Sequence, residues 1–301
     1  MMKKLASYTL SGKIPAFVVV FGCLFLALLA PLFQLFAIIS GAAIVLITLH
    51  AGPKNSGLIV IISTVALAAA SAFLIQQPLL GATTAIAQLI PSFIIAAIFY
   101  STRSLSLSLQ ATALLGALAF ILLTLLFPDS HMFWEKVLTP MLTPVLEAGG
   151  YSAEQIPALI AESSKYMNGL LIASVVLVHS TILLFGYYLH CLHINSTQFR
   201  EDFKQLRLGK VLAILTILAG IAAVVTKSPF AAQLCGILAI LFFLQGMALI
   251  HTTCGSMTKG KVWLIITYIL VIFVPQVIVI VILLGLFDTL FKLRKPQQKN
   301  Q

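Results

Sequence analysis

Apolar positions dominate the chain in long unbroken runs, separated by short polar stretches. Nine such runs stand out, at about 14–30, 32–49, 57–75, 84–100, 106–127, 168–189, 211–225, 230–250 and 262–287. Most are about 17–25 residues long, the length an α-helix needs to cross the hydrocarbon of a bilayer. A barrel strand would instead read as an alternating segment of about 10 residues. The pattern predicts an all-α, polytopic transmembrane helical bundle with eight full spans. The ninth segment contains Pro275. It is expected either as one kinked span or as a short re-entrant hairpin, because proline breaks the helical hydrogen-bond ladder.

Two stretches are expected to lie on the membrane. The 128–167 loop carries Pro140, Pro144 and Pro157, and Ser152 with Gln155 forms a capping box. Ile156, Leu159 and Ile160 then share a face. The 199–208 stretch places Phe199, Phe203 and Leu206 on one face and Arg200, Lys204 and Arg207 mostly off it. It reads either as a basic amphipathic helix for an anionic leaflet or as an ordinary connecting helix. No soluble domain is long enough to stand apart, so residues 1–301 are expected as one integral membrane domain. It comprises five spans over 14–127, the loop, and the remaining spans with a basic tail over 168–301.

Composition agrees with this reading. Of 301 residues, 60% are hydrophobic and 9% charged, against about 25% charged in soluble domains. The net charge of +10 does not indicate nucleic acid. The basic residues sit at the ends of apolar runs, with no basic, aromatic-interleaved stripe. They set an orientation instead. With the N-terminus in the cytoplasm, eleven Lys and Arg residues fall inside and Lys136, Lys165 and Lys227 outside. Lys292, Arg294, Lys295 and Lys299 follow the ninth segment, and their charge favours a cytoplasmic tail. Lys3, Lys4 and Lys13 before an apolar run imitate a signal peptide. Pro31 and further apolar sequence after Ala30 make it an uncleaved first span.

Candidate chemistry is sparse. There is no phosphate-binding loop, no dinucleotide fingerprint and no zinc-protease motif. No Asp, Glu, Lys or Arg lies in the middle of a span, which argues against a proton-driven transporter. Four cysteines form no disulfide framework. His179, Gln88, Gln233 and Gln245 are the polar side chains deep in spans. They are either interhelical packing bonds or the lining of a pocket for a neutral polar ligand. His190 with His193, and His251 with Cys254, are i, i+3 pairs at two predicted cytoplasmic span ends. Together they have the ligand types of a tetrahedral metal site, although the spacing matches no standard zinc signature. Ala66/Ala70, Ala68/Ala72 and Ala113/Ala117 are small-residue pairs suited to close helix packing or to seating another subunit. Asp288 lies four residues before Lys292, the spacing of an intrahelical ion pair.

The C-terminal third carries a resemblance. The stretch Phe199-Arg-Glu-Asp-Phe-Lys-Gln-Leu-Arg-Leu precedes a span. The stretch Phe242-Phe-Leu-Gln-Gly-Met-Ala-Leu-Ile-His251 ends one. Val274-Pro-Gln then leads to Leu284-Gly-Leu-Phe-Asp-Thr-Leu-Phe-Lys-Leu-Arg294. Together they resemble the YybS-like family of bacterial membrane proteins, whose domain is of unknown function. That family is distantly similar to the substrate-binding S-components of energy-coupling-factor vitamin transporters. The resemblance implies a bacterial inner-membrane protein and marks Gln245, Gly246, His251, Asp288 and Arg294 as positions of the family's pattern. It implies no reaction. The expected function is a small-molecule binding or transport component needing a partner for energy. The alternatives are an assembly protein that docks other membrane subunits and a metal-dependent membrane enzyme. No cofactor is expected, and the bilayer is the one definite partner.

Overall fold

A computed structural model describes residues 1–30, 33–291, 293 and 294. Among these, fourteen helices form and no strand does. In order they are α1 (Met2–Thr9), α2 (Lys13–Leu29), α3 (Gln34–Ala51), α4 (Pro53–Ile75), α5 (Pro78–Thr102), α6 (Leu105–Leu126) and α7 (Ser130–Ala148). There follow α8 (Gln155–Ser164), α9 (Met167–His193), α10 (Gln198–Lys204), α11 (Lys210–Thr226), α12 (Pro229–Gly255), α13 (Gly260–Phe273) and α14 (Pro275–Phe291).

Proline opens α4, α5, α12 and α14, because its missing N–H belongs to a turn whose donors have no intrahelical acceptor. Six helices are long and apolar enough to cross a membrane: α3, α4, α5, α6, α9 and α12. The pair α13 and α14 passes that test only jointly, and it is bent by 120°. By length and composition alone the count is six, or seven with the bent pair, so the eight full spans expected from the hydrophobic pattern are matched only in part. The difference lies in α2 and α11, which have 17 residues each. At 1.5 Å per residue such a helix covers about 25 Å, at the lower end of the spanning range. The α2 helix stops at Leu29 because Ala30 precedes a proline and is extended, at φ −156° and ψ 145°.

The described chain divides into two compact units. The first comprises residues 1–112 and 177–206. Its centre is α3, in which every residue from Ser40 to Leu49 is buried. Around it Leu24 of α2, Leu67 of α4 and Leu89 of α5 join Ile44 in one core cluster. Lipid removes the hydrophobic drive between helices, so close packing and polar links hold them. Ser40 donates to the Val20 carbonyl at 2.7 Å, and Thr48 to the Ser56 hydroxyl at 2.8 Å. Leu58, Ile61, Ile62 and Val65 of α4 are exposed, an apolar face that suits lipid and not water. Phe199 of α10 packs edge-on against Tyr187 and Tyr188 of α9. The 199–208 stretch thus turns its aromatic face onto the protein, as a connecting helix does.

The second unit comprises residues 113–176 and the chain from 207 onward. Here α7 and α8 form a hairpin around Leu138, Ile156 and Ile160. The Ser152 N–H donates to Gln155 Oε1 at 3.1 Å, one half of the expected capping box. Leu159, expected on the same face as Ile156 and Ile160, is exposed while those two are buried. In α6, Ala113 and Ala117 are buried, so this small-residue pair packs the protein's own interior. The α4 residues Ala66, Ala68, Ala70 and Ala72 are half-buried.

Candidate functional site

The most connected polar group lies in the second unit. Gln245 of α12 and Asp288 of α14 are fully buried. Gln245 Oε1 accepts from the Leu208 N–H at 2.8 Å and from the Thr289 hydroxyl at 3.0 Å. Its Nε2 donates to Asp288 Oδ2 at 2.7 Å. The Arg294 Nε lies 3.2 and 3.1 Å from the two Asp288 oxygens, and a terminal guanidinium nitrogen donates to Oδ2. Arg207 donates to the Arg294 carbonyl at 2.6 Å. A buried carboxylate is tolerated only when paired and hydrogen-bonded, and Asp288 meets both conditions.

Backbone approach makes this cluster reachable. A Cβ on Gly246 would lie 2.0 Å from the Val281 carbonyl oxygen, and one on Gly285 2.0 Å from that of Phe242. Only glycine permits α12 and α14 to cross so closely. Gln245, Gly246, Asp288 and Arg294, four of the five positions marked by the resemblance in the C-terminal third, thus form one clamp. The fifth, His251, shares a hydrogen bond between its Nε2 and the Tyr268 hydroxyl at 2.8 Å, joining α12 to α13. Asp288 pairs with Arg294; the Lys292 expected from the spacing lies outside the described residues. The clamp's amide and carboxylate are engaged with protein groups, so it holds helices and offers a ligand little.

The other polar side chains sit elsewhere. Gln88 donates to the Ala37 carbonyl at 2.9 Å, tying α5 to α3. Gln233 accepts from the Gly169 N–H at 2.7 Å and donates to the Pro229 carbonyl at 3.1 Å. His179 is buried in the first-unit part of α9. His190 and His193 belong to the first unit, His251 and Cys254 to the second. Among the described residues no group of three or more His, Cys, Asp or Glu side chains is placed to hold a metal ion.

A different set of residues surrounds open space. At one end of the first unit, Lys3 donates to Asn195 Oδ1 at 2.5 Å and Ser7 Oγ lies 3.3 Å from His193 Nδ1. The His50 ring is 5.4 Å from that of His193 and 6.3 Å from that of His190. His190 also lines a cavity of about 360 Å³, with Phe99, Arg103, Tyr187, Gln198 and Asp202. The Tyr187 hydroxyl donates to Asp202 Oδ2 at 2.6 Å, and Gln198 Nε2 to Oδ1 at 2.9 Å. Phe99 packs edge-on against Tyr187, 4.7 Å between ring centres. An aromatic wall with a few converging polar groups is the usual make-up of a small-molecule site. Apart from His190, the hydrophobic pattern does not single these residues out. Each resembles an ordinary polar residue at a span end, and their shared predicted side of the membrane is the one signal linking them.

The second unit has a larger cavity, about 640 Å³, lined by Leu123, Leu126, Phe133 and Leu171. The Asp129 carboxylate also lines it, and three of its other polar side chains bond to one another. Trp134 Nε1 donates to Asn168 Oδ1 at 2.7 Å, and Asn168 Nδ2 to Ser130 Oγ at 2.7 Å. It offers a ligand shape but few free hydrogen bonds.

A family model described as "Predicted membrane protein (DUF2232)" matches residues 16–289. No curated protein and no solved structure matches the chain. The matched stretch takes in every helix from α3 to α13 and the Gln245–Asp288 half of the clamp, in keeping with the likeness to uncharacterised membrane proteins seen in the C-terminal third. The chain belongs to the DUF2232 family of predicted membrane proteins.

Proposed function

We propose that the protein is a small-molecule binding component of a bacterial inner membrane, working with a partner that supplies energy. The cavity bounded by Arg103, Tyr187, His190, Gln198 and Asp202 carries this reading. Its volume is that of a small metabolite site, and its carboxylate is held in a fixed orientation by two hydrogen bonds. The sequence contains no nucleotide-binding motif, so energy for movement of a ligand comes from another chain. We place the ligand at this cavity in preference to Gln88, Gln233 and Gln245, whose amides bond to protein groups.

The proposed orientation puts both the N-terminus and the cavity in the cytoplasm. Basic residues near span ends favour it. The Arg207–Arg294 hydrogen bond supports a tail on the same side as the α10–α11 junction. With that tail inside, only Lys136, Lys165 and Lys227 remain outside. In this reading α13 and α14 form a re-entrant hairpin.

A thermal-unfolding screen of purified protein in detergent against a metabolite library tests the binding function. A ligand should raise the melting temperature of the wild type, and Asp202→Asn and Tyr187→Phe should reduce that rise. Ligands whose effect survives both changes would remove the cavity as the site.

A further inference from the structure

We infer that the first-unit cavity is a phosphate-group site, in which Arg103 and His190 take the oxygens of a phosphoryl group. This rests on reading the cavity as a ligand site and adds the chemistry of what enters it.

The position of Arg103 is the first observation. Its backbone is left-handed, at φ 53°, a conformation uncommon for a non-glycine residue and one that turns and functional sites hold in place. Its N–H donates to the Phe99 carbonyl at 2.9 Å, ending α5. The guanidinium lies 4.7 Å from the centre of the Tyr100 ring. Stacking fixes the plane of the fork and leaves its N–H edges available. Among the described residues no carboxylate pairs with it.

The second observation is His190. It lines the same cavity, and its Nδ1 is buried without a hydrogen-bond partner. A buried nitrogen without a partner is rare in a finished interior, and among the described residues no protein group completes this one.

Charge selects the ligand. His50 and His193 stand beside His190, and the one carboxylate of the cavity wall, Asp202, already accepts from Tyr187 and Gln198. Among the described residues Arg103 is the one cation of the cavity wall and no carboxylate pairs with it, so a group with anionic oxygens fits better than a neutral or cationic one. A guanidinium fork matches two phosphoryl oxygens at once. The phosphoryl group comes either from a soluble phosphate ester or from a lipid headgroup, since the cavity lies among helix ends.

The test uses full-length protein, delipidated in maltoside detergent and titrated calorimetrically. One arm adds inorganic phosphate or glycerol 3-phosphate, the other phosphatidylglycerol. Saturable binding in either arm is expected, and the arm that binds identifies the source. Arg103→Gln and His190→Gln should each weaken it by about tenfold or more, the scale of a lost charge-assisted bond, with the melting temperature of the unliganded protein unchanged. If His190→Gln fails to fold, Arg103→Gln decides, because its side chain is exposed. No binding in either arm at millimolar concentration overturns the inference, as does equal binding by Arg103→Gln. If both arms fail while a neutral or cationic compound gives a shift that Asp202→Asn reduces, the cavity remains a ligand site and only its phosphate chemistry is wrong.

Discussion

Asp288 and Arg294 are fully and almost fully buried, and each is the other's charge partner. Removing one leaves an uncompensated charge in the interior. Asp288→Ala and Arg294→Ala should therefore each lower stability by about 3–5 kcal/mol. The double variant should cost no more than the worse single one, because it strands no charge. Chemical unfolding in detergent measures all three. Strictly additive losses would mean that the pair does not act as a pair. Local spacing pointed Asp288 towards Lys292, and that rule sees only one helix. Lys292 lies outside the described residues; Arg294 reaches back from beyond the end of α14, and Gln245 comes from 43 positions earlier in the chain. Periodicity cannot report such contacts. The resemblance in the C-terminal third did mark Gln245, Gly246, Asp288 and Arg294, without saying that they meet.

Helices were the most legible level. Every apolar run became a helix, with ends displaced by local chemistry. The run at 84–100 extends back to Pro78, because proline starts a helix readily and the polar threonines between do not stop one. The last run divides at Val274, ahead of Pro275, into two helices bent by 120°. Contact between helices was less legible, since a small residue in sequence does not say what it faces. Gly246→Ala and Gly285→Ala should each destabilise by roughly 1–3 kcal/mol, as overpacking does. In both the obstacle is a backbone oxygen that cannot rotate away. Gly22→Ala and Gly236→Ala are the matched controls, with nothing within 4 Å of the added carbon. They should be neutral or stabilising by up to about 1 kcal/mol. Thermal melts of the four variants in one detergent separate the groups. A normal melt for Gly246→Ala would mean that α12 and α14 do not touch there.

For the whole molecule, the proposed orientation makes a definite demand on the ends of the chain. In a background lacking Cys23, Cys191, Cys235 and Cys254, single cysteines at Ser11 and Leu293 should react only when reagent reaches the cytoplasm. One at Tyr151, between α7 and α8, should react from outside in intact cells. Labelling of Leu293→Cys from outside would make α13 and α14 one broken crossing and not a hairpin. The cavity belongs to this scale too, which is why it was hard to read in advance. Arg103, Tyr187 and Asp202 come from three separate parts of the chain. Only the meeting of α5, α9 and α10 makes them one wall.

The clamp also bears on how the protein is made. Gln245 is synthesised long before Asp288, yet its amide has its full set of partners only once α14 exists. During that interval α12 stands in the bilayer with a polar group and a bare glycine surface uncovered, a state lipid penalises. The burial of Gln245 is therefore completed only when α14 docks, and the unfinished state is the one a membrane protease should attack. Chains truncated after Phe273 should be cleared by membrane proteases faster than full-length chains in a pulse-chase experiment, and chains carrying Asp288→Ala should share part of that fate. A helix made later would then decide whether the helices made before it are kept.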